Sequence, residues 1–358
     1  MILEFKATKM SLVQPIIALV FVQLLFGALP VASKFILAHA HPLFVVVLRS
    51  LFAAFFFFVL HCFFSASSTH SRQNTLAGES LNNVNELQSV ANKLSRNTHL
   101  RIALLSFFGI TFNQMALFVA LPHTTAAVTS VISPSIALFT LVFSVLLGRE
   151  RFQLMSCFAI LMGASGVLVV LNPFSSSVAS GVRHGEVWAD LLNVLSAASY
   201  AFYLALVGRL PTLVGVFRFS LLLFFYGFLM NLLVLAVYSG LVSGGWISAP
   251  ASLTIQGTLS GLPTSFWYGL AFLLTGATAF TYFLNNWALQ RVKPSLVGGF
   301  VCLQTVFGLF LSKQLLHEPL TNAMVVGSVL IMSGVCVLAF QHLRKASPSD
   351  ANKAHQCN

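Results

Sequence analysis

Residues Leu117 to Val170 reappear 168 positions later as Asn285 to Leu338. Ala120-Leu121 matches Ala288-Leu289, Phe139 matches Phe307, Glu150 matches Glu318, and Ser165-Gly166 matches Ser333-Gly334. A second echo lies upstream, where Pro42 to Arg49 spans seven positions and so does Pro211 to Arg218. A chain written twice from one unit must pack two copies of that unit. This constrains the fold more than any local motif does.

The repeated unit is apolar. Hydrophobic residues make up 57% of the 358 residues, charged ones 8%, and the mean hydropathy is +0.89. A soluble globule carries about a quarter of its residues as charges. Apolar runs of bilayer length recur along the chain, so the fold class is all-α and polytopic, with backbone groups satisfied inside helices. The net charge of +11 sits singly at helix ends rather than in a basic stripe, which fits membrane topology and not nucleic acid. Cys62, Cys157, Cys302 and Cys336 lie in apolar segments and Cys357 in the tail, a pattern of free thiols rather than a disulfide framework.

Ten spans are expected, at about 14–38, 41–64, 100–121, 124–147, 153–171, 187–208, 212–242, 265–289, 294–316 and 320–341. They group into a first five-helix repeat at 14–171 and a second at 187–341. Residues 1–13, a 172–186 linker and a 342–358 tail flank them, and a Ser- and Asn-rich loop at 65–99 is expected to be disordered. Lys6, Lys9, Arg149, Arg151, Arg291, Lys293, Arg344 and Lys345 share one side, against Lys34, Arg183 and Lys313 on the other. The basic side is the cytosolic one, so both termini are expected there. Five is odd, so the second repeat enters the bilayer inverted, which is the layout of a carrier that rocks about a central cavity.

The Pro42 to Arg49 entry, Ala120-Leu121 and Gly148-Arg149-Glu150 carry a resemblance, as do Gly163 and Gly166, Asp190, Ala288-Leu289, Leu316-His317-Glu318, and Gly327 with Gly334. Through these residues the chain resembles the drug/metabolite transporter superfamily in its EamA-like branch. The resemblance implies ten helices, cytosolic termini, a central cavity and transport of a small organic solute. Two positions depart from it: Leu316 stands where Gly148 stands in the first half, and Cys302 stands where Pro134 does.

Polar residues inside the spans are the candidate cavity lining, because lipid offers them no hydrogen bonds. Gln23, Gly27, Pro30 and Lys34 fall on one face of helix one. Helix three offers Asn113 and Gln114, helix four Thr129 and Ser133, and helix six Asn193, Tyr200 and Tyr203. Helix eight offers Thr278, Tyr282 and Asn285, and helix nine offers Gln304. Each of these can bind solute by hydrogen bonds or stacking, or merely join two helices. Arg49 lies about 10 Å into helix two at 1.5 Å per residue, with Arg218 as its sequence mate. Their alternatives are solute contact and a structural role on helix-end carbonyls. Glu150 and Glu318 are read either as carboxylates on helix N-termini or as gate ion pairs. Asp190 is the acid closest to the membrane interior.

No carboxylate pair lies mid-span, which favours facilitated transport or exchange over ion coupling. No metal, cofactor or catalytic residue is expected. Gly163-Ala164-Ser165-Gly166 has an intramembrane-protease form, but its duplication at Ser333-Gly334 fits backbone packing better. A phosphorylated-solute or nucleotide-sugar exchanger is the alternative carrier, drawing on Lys34, Arg49 and Arg218. A scaffold without flux is the alternative from another class. Helices five and ten brace the periphery or form a homodimer contact.

Overall fold

The first apolar run forms α1, Val13–Leu37, which continues through its internal Pro30. After a turn at 38–41, α2 covers Pro42–Gln73, with Pro42 at its first turn where a missing N–H costs nothing. These elements come from a computed structural model, which describes residues 13–73, 95–149, 154–171, 186–208, 210–246, 262–281, 284, 288 and 294–345. Among the described residues all regular structure is helical.

Ser95 opens α3 by accepting from Asn97 N–H at 3.4 Å. This helix is composite: Arg96–Ser106, a π-helical stretch Phe107–Phe112, Asn113–Ala120, and a 3-10 turn Leu121–His123. The Thr125 hydroxyl accepts from Val128 N–H at 3.1 Å and so starts α4. Pro134 divides α4 into Ala126–Ile132 and Ser135–Leu146, because proline cannot donate to the ladder. Gly148, at φ 67°, ends it. Then follow α5, Leu154–Leu171, and α6, Val187–Val207, which stops at Gly208 with φ 51°. A single turn at Leu210–Val214 precedes α7, Val216–Ser243. The second half closes with α8 (Thr264–Ala271 running into a π-helical stretch Phe272–Phe280), α9 (Pro294–Leu315) and α10 (Asn322–Lys345).

Three departures from the expected layout have local causes. The helix of α2 runs to Gln73, nine residues into the loop expected to be disordered at 65–99, since no Gly or Pro interrupts it there; residues 74–94 lie outside those described. Helix seven, expected to start near 212, is broken at Gly215, whose φ of 90° no helix can hold. In the second half the positive φ that Gly148 supplies in the first falls one position later, on His317 at φ 53°. Leu316, the sequence mate of Gly148, avoids that conformation.

Among the described residues six helical stretches are long and apolar enough to cross a bilayer, namely 14–37, 42–63, 96–123, 126–146, 187–207 and 216–243, and three shorter helices, 157–171, 300–315 and 322–337, are also apolar. Packing falls into clear partners: α2 lies along α7, α5 along α10, α1 along α9 and α8, and α6 along α4 and α3. Glycine sets the α5–α10 approach, because a Cβ on Gly166 would sit 2.8 Å from the Gly327 carbonyl oxygen and one on Gly334 2.7 Å from that of Ala159. Leu229, Leu233 and Val237 of α7 are exposed, as a lipid-facing surface requires.

Candidate functional site

Polar side chains inside this bundle collect in three places. The first is the end where α1 finishes. Glu318, on the α9–α10 hairpin, accepts from Ala126 N–H and Ala127 N–H at 3.0 Å each, one on each carboxylate oxygen. It also accepts from the Ser312 hydroxyl, and Lys34 Nζ stands 3.8 Å away. Lys34 donates to the Thr124 carbonyl, and the Thr124 hydroxyl donates to Asp190, which is 3% exposed. One carboxylate thus ties α9 to the N-terminus of α4, where the helix dipole favours negative charge, and to α1. Through Thr124 and Asp190 the tie extends to α6. Glu318 therefore sits on a helix N-terminus and also faces a cation. The N-terminus it meets is that of α4, not that of the α10 it precedes. At the rim, His123 and Glu186 pair at 3.5 Å beside Trp188.

The second place is around Arg49, 5% exposed. Its Nε donates to Thr278 Oγ1 at 3.0 Å and its Nη2 to the Ala277 carbonyl at 3.5 Å. The guanidinium lies 5.8 Å from the centre of the Phe118 ring. A charge at this depth needs such partners, and they come from α8 and α3. Arg218 does not share this setting. The break at Gly215 puts it in the first turn of α7, whereas Arg49 sits seven residues inside an unbroken α2.

The third is the seam of α6 with α3 and α4. Asn113 Nδ2 donates to the Ser196 carbonyl and hydroxyl oxygens at 3.0 Å, and the Ser196 hydroxyl returns a bond to the Asn113 carbonyl at 2.8 Å. Asn193 Nδ2 donates to Thr129 Oγ1 at 2.8 Å. Ser133 back-bonds to its own helix at the Thr129 carbonyl, 2.8 Å away. The Tyr200 and Tyr203 rings lie 5.5 Å apart, and Tyr203 covers Gly109, where a Cβ would fall 2.7 Å from its ring.

Gln23 and Gln114 are buried at 3% and 5% exposure, each with a side-chain oxygen that has no hydrogen-bond partner. The Gln304 carbonyl marks the α1–α9 crossing, 2.8 Å from where a Cβ on Gly27 would lie. Tyr282, Asn285 and Glu150 fall outside the described residues. Among the described residues no three His, Cys, Asp or Glu side chains gather as a metal site needs. Ser165 is exposed and donates to the Met162 carbonyl of its own helix at 2.8 Å.

Sequence reasoning passed over several buried groups. Thr124, Ser312 and Ser196 carry the ties just described. Asn231, also passed over, donates to Ser50 Oγ at 3.2 Å across α7 and α2; Thr305, a sequence candidate beside Gln304, donates to the Ser130 carbonyl at 3.2 Å across α9 and α4. Ser196 was findable, one turn beyond Asn193 on the same face of α6. Ser and Thr elsewhere carry little signal, because either can satisfy itself on its own helix.

The arrangement is one of neutral amides and hydroxyls between helices, with two cations, Lys34 and Arg49, and two carboxylates, Glu318 and Asp190, that already hold protein partners. Proteins similar to this chain in sequence are named as transporters or solute carriers. A model of the EamA-like transporter family matches residues 13–172 and 187–340. An uncharacterised transporter of Methanothermobacter thermautotrophicus is 22% identical over 328 residues, 90% of this chain and 85% of the relative. One of Clostridium kluyveri is 25% identical over 214 residues, 58% of this chain and 67% of the relative. Solute carrier family 35 member F5 of Bos taurus is 26% identical over 179 residues, 46% of this chain and 33% of that protein. A protein of known crystal structure shares the fold at TM-score 0.56 and 15% identity, over 93% of this chain and 98% of its own. The chain belongs to the EamA-like transporter family and is an integral, multi-pass membrane transporter.

Proposed function

We propose that the protein is an alternating-access carrier for a small organic metabolite, built from two inverted five-helix repeats and working by facilitated transport or exchange. The observation that carries this reading is the reciprocity of the packing. Adding five to each helix number turns the α1–α9 pair into α6–α4 and the α1–α8 pair into α6–α3. The same step sends α2–α7 and α5–α10 onto themselves. A pseudo-twofold axis between the halves has this effect, and two such halves can rock.

On this reading the cavity lies among α1, α3, α4, α6, α8 and α9. Its candidate lining is Gln23, Asn113, Gln114, Thr129, Ser133, Asn193, Tyr200, Tyr203, Thr278, Tyr282, Asn285 and Gln304. Lys34, Asp190 and Glu318 clasp one mouth, with Glu150 their counterpart at the other. The basic residues make the Lys34 mouth the non-cytosolic one. Purified protein in liposomes, offered solutes chosen by comparing the metabolites of cells with and without it, is expected to exchange at least one of them. Liposomes that pass none of a broad panel would favour the scaffold reading. The phosphorylated-solute alternative ranks second, since it needs several cations facing the solute, while Lys34 contacts Glu318 and Arg49 contacts Thr278.

A further inference from the structure

Among the described residues two helices leave the α-helical repeat mid-course, in matched places. The π-helical stretch of α3 is Phe107–Phe112 and that of α8 is Phe272–Phe280. Adding the repeat offset of 168 to 107–112 gives 275–280, inside the second stretch. π-helical turns are rare, mostly short, and concentrated at functional sites. Their wider turns also offer carbonyls to side chains of neighbouring helices.

The threonine hydroxyls of the α8 stretch have partners. Thr278 and Thr281 hydroxyls donate five residues back, to Leu273 and Gly276 carbonyls, at 2.8 Å each. Arg49 then donates to Thr278 Oγ1 and to the Ala277 carbonyl. The α3 stretch is engaged only in part. Its Phe108 carbonyl accepts from Ser199 at 2.7 Å. Yet Thr111 Oγ1 and, just beyond the stretch, Gln114 Oε1 are buried without a partner, in residues 3% and 5% exposed. Buried groups in that state mark a conformation held against a local cost.

We propose that the two π-helical stretches are paired hinges of the transport cycle, locked in α8 by Arg49 and unlocked in α3, where Thr111 and Gln114 gain partners when the extra residue of the π turn slips along the helix. This rests on the alternating-access reading. Each residue passed by such a slip turns by about 100° around the axis, one residue of a 3.6-residue turn. In α3 the slip would re-aim Asn113 and Gln114, which follow the hinge directly. Arg49 and Thr111 are positioning residues here, acting through the helices that carry the solute-facing groups.

Hydrogen exchange read by mass spectrometry on the full-length protein in lipid nanodiscs tests it. In the unmodified protein, 107–112 should exchange faster than the flanking 96–106. Thr278→Val should speed exchange of 272–280 about tenfold. Thr111→Val, which removes the unpartnered hydroxyl, should slow exchange of 107–112 about tenfold and slow solute flux. Ser165→Ala, on the exposed face of α5, should alter neither stretch. Uniform protection of α3, or both threonine variants shifting exchange in the same direction, overturns the hinges. Should Thr278→Val not fold, the sign of the Thr111→Val effect decides alone. Liposomes without flux but with both stretches exchanging as expected remove the carrier reading and leave two mobile stretches with no transport cycle to serve. Flux with uniformly protected helices removes the hinges and keeps the carrier reading.

Discussion

His41 and Glu318 show how single residues set the behaviour of the bundle's ends. His41 Nδ1 accepts from Leu43 N–H at 3.3 Å while its ring lies 4.7 Å from that of Tyr238. Burial lowers its pKa below the ordinary 6.5. The unfolded chain therefore takes up the proton first, and stability falls as pH drops through and below 6.5 and recovers above it. Thermal unfolding in detergent from pH 7.5 to 5 should show this loss, and His41→Gln should flatten that part of the profile. Glu318→Gln keeps the shape but removes the charge that faces Lys34 and two backbone N–H groups. Loss of about 1–3 kcal/mol is expected from one charged acceptor of this kind, read as a lower unfolding temperature at neutral pH. The sequence showed that Glu318 was duplicated and stood at a hairpin. It could not show that its partner helix was α4, because that contact spans 192 residues and no local pattern encodes it.

Among the elements, the helices with steady apolar runs were the most legible. The expected first span, 14–38, lies within one residue of α1 at each end, because a bilayer-length apolar run has only one way to satisfy its backbone. Interruptions were less so. Pro134 was recognisable as a bend, but the π-helical stretches of α3 and α8 contain no residue type that announces them. Gly215 breaks α7 in a segment whose hydropathy is otherwise continuous. Helix contacts were legible where small residues recur: Gly166 and Gly334, noted as packing residues, do meet α10 and α5 at backbone distance. Gly166→Ala would force a methyl to 2.8 Å from the Gly327 carbonyl and the Ile331 side chain. Overpacking of that kind costs about 1–3 kcal/mol. A lower unfolding temperature, with α5 and α10 exchanging faster than α2 and α7, is the outcome to look for.

For the molecule as a whole, composition and duplication were enough to indicate a helical membrane transporter, and the family match agrees. Candidate polar residues were legible as residues but not as contacts. Asn113 and Asn193 donate to neighbours on α6 and α4, while Gln23 and Gln114 have side-chain oxygens without a partner. Lys34 has no basic counterpart either: 168 positions on stands Phe202. On the carrier reading proposed above, the two doorways then carry different fastenings, the Lys34 one a charged clasp with Glu318. A machine without fuel cannot turn that inequality into accumulation, since the final concentrations on both sides are fixed by the solute alone. Where the Lys34 door is the better fastened, such a carrier rests more often facing away from it, and the same solute half-saturates the protein at a higher concentration when offered from that side.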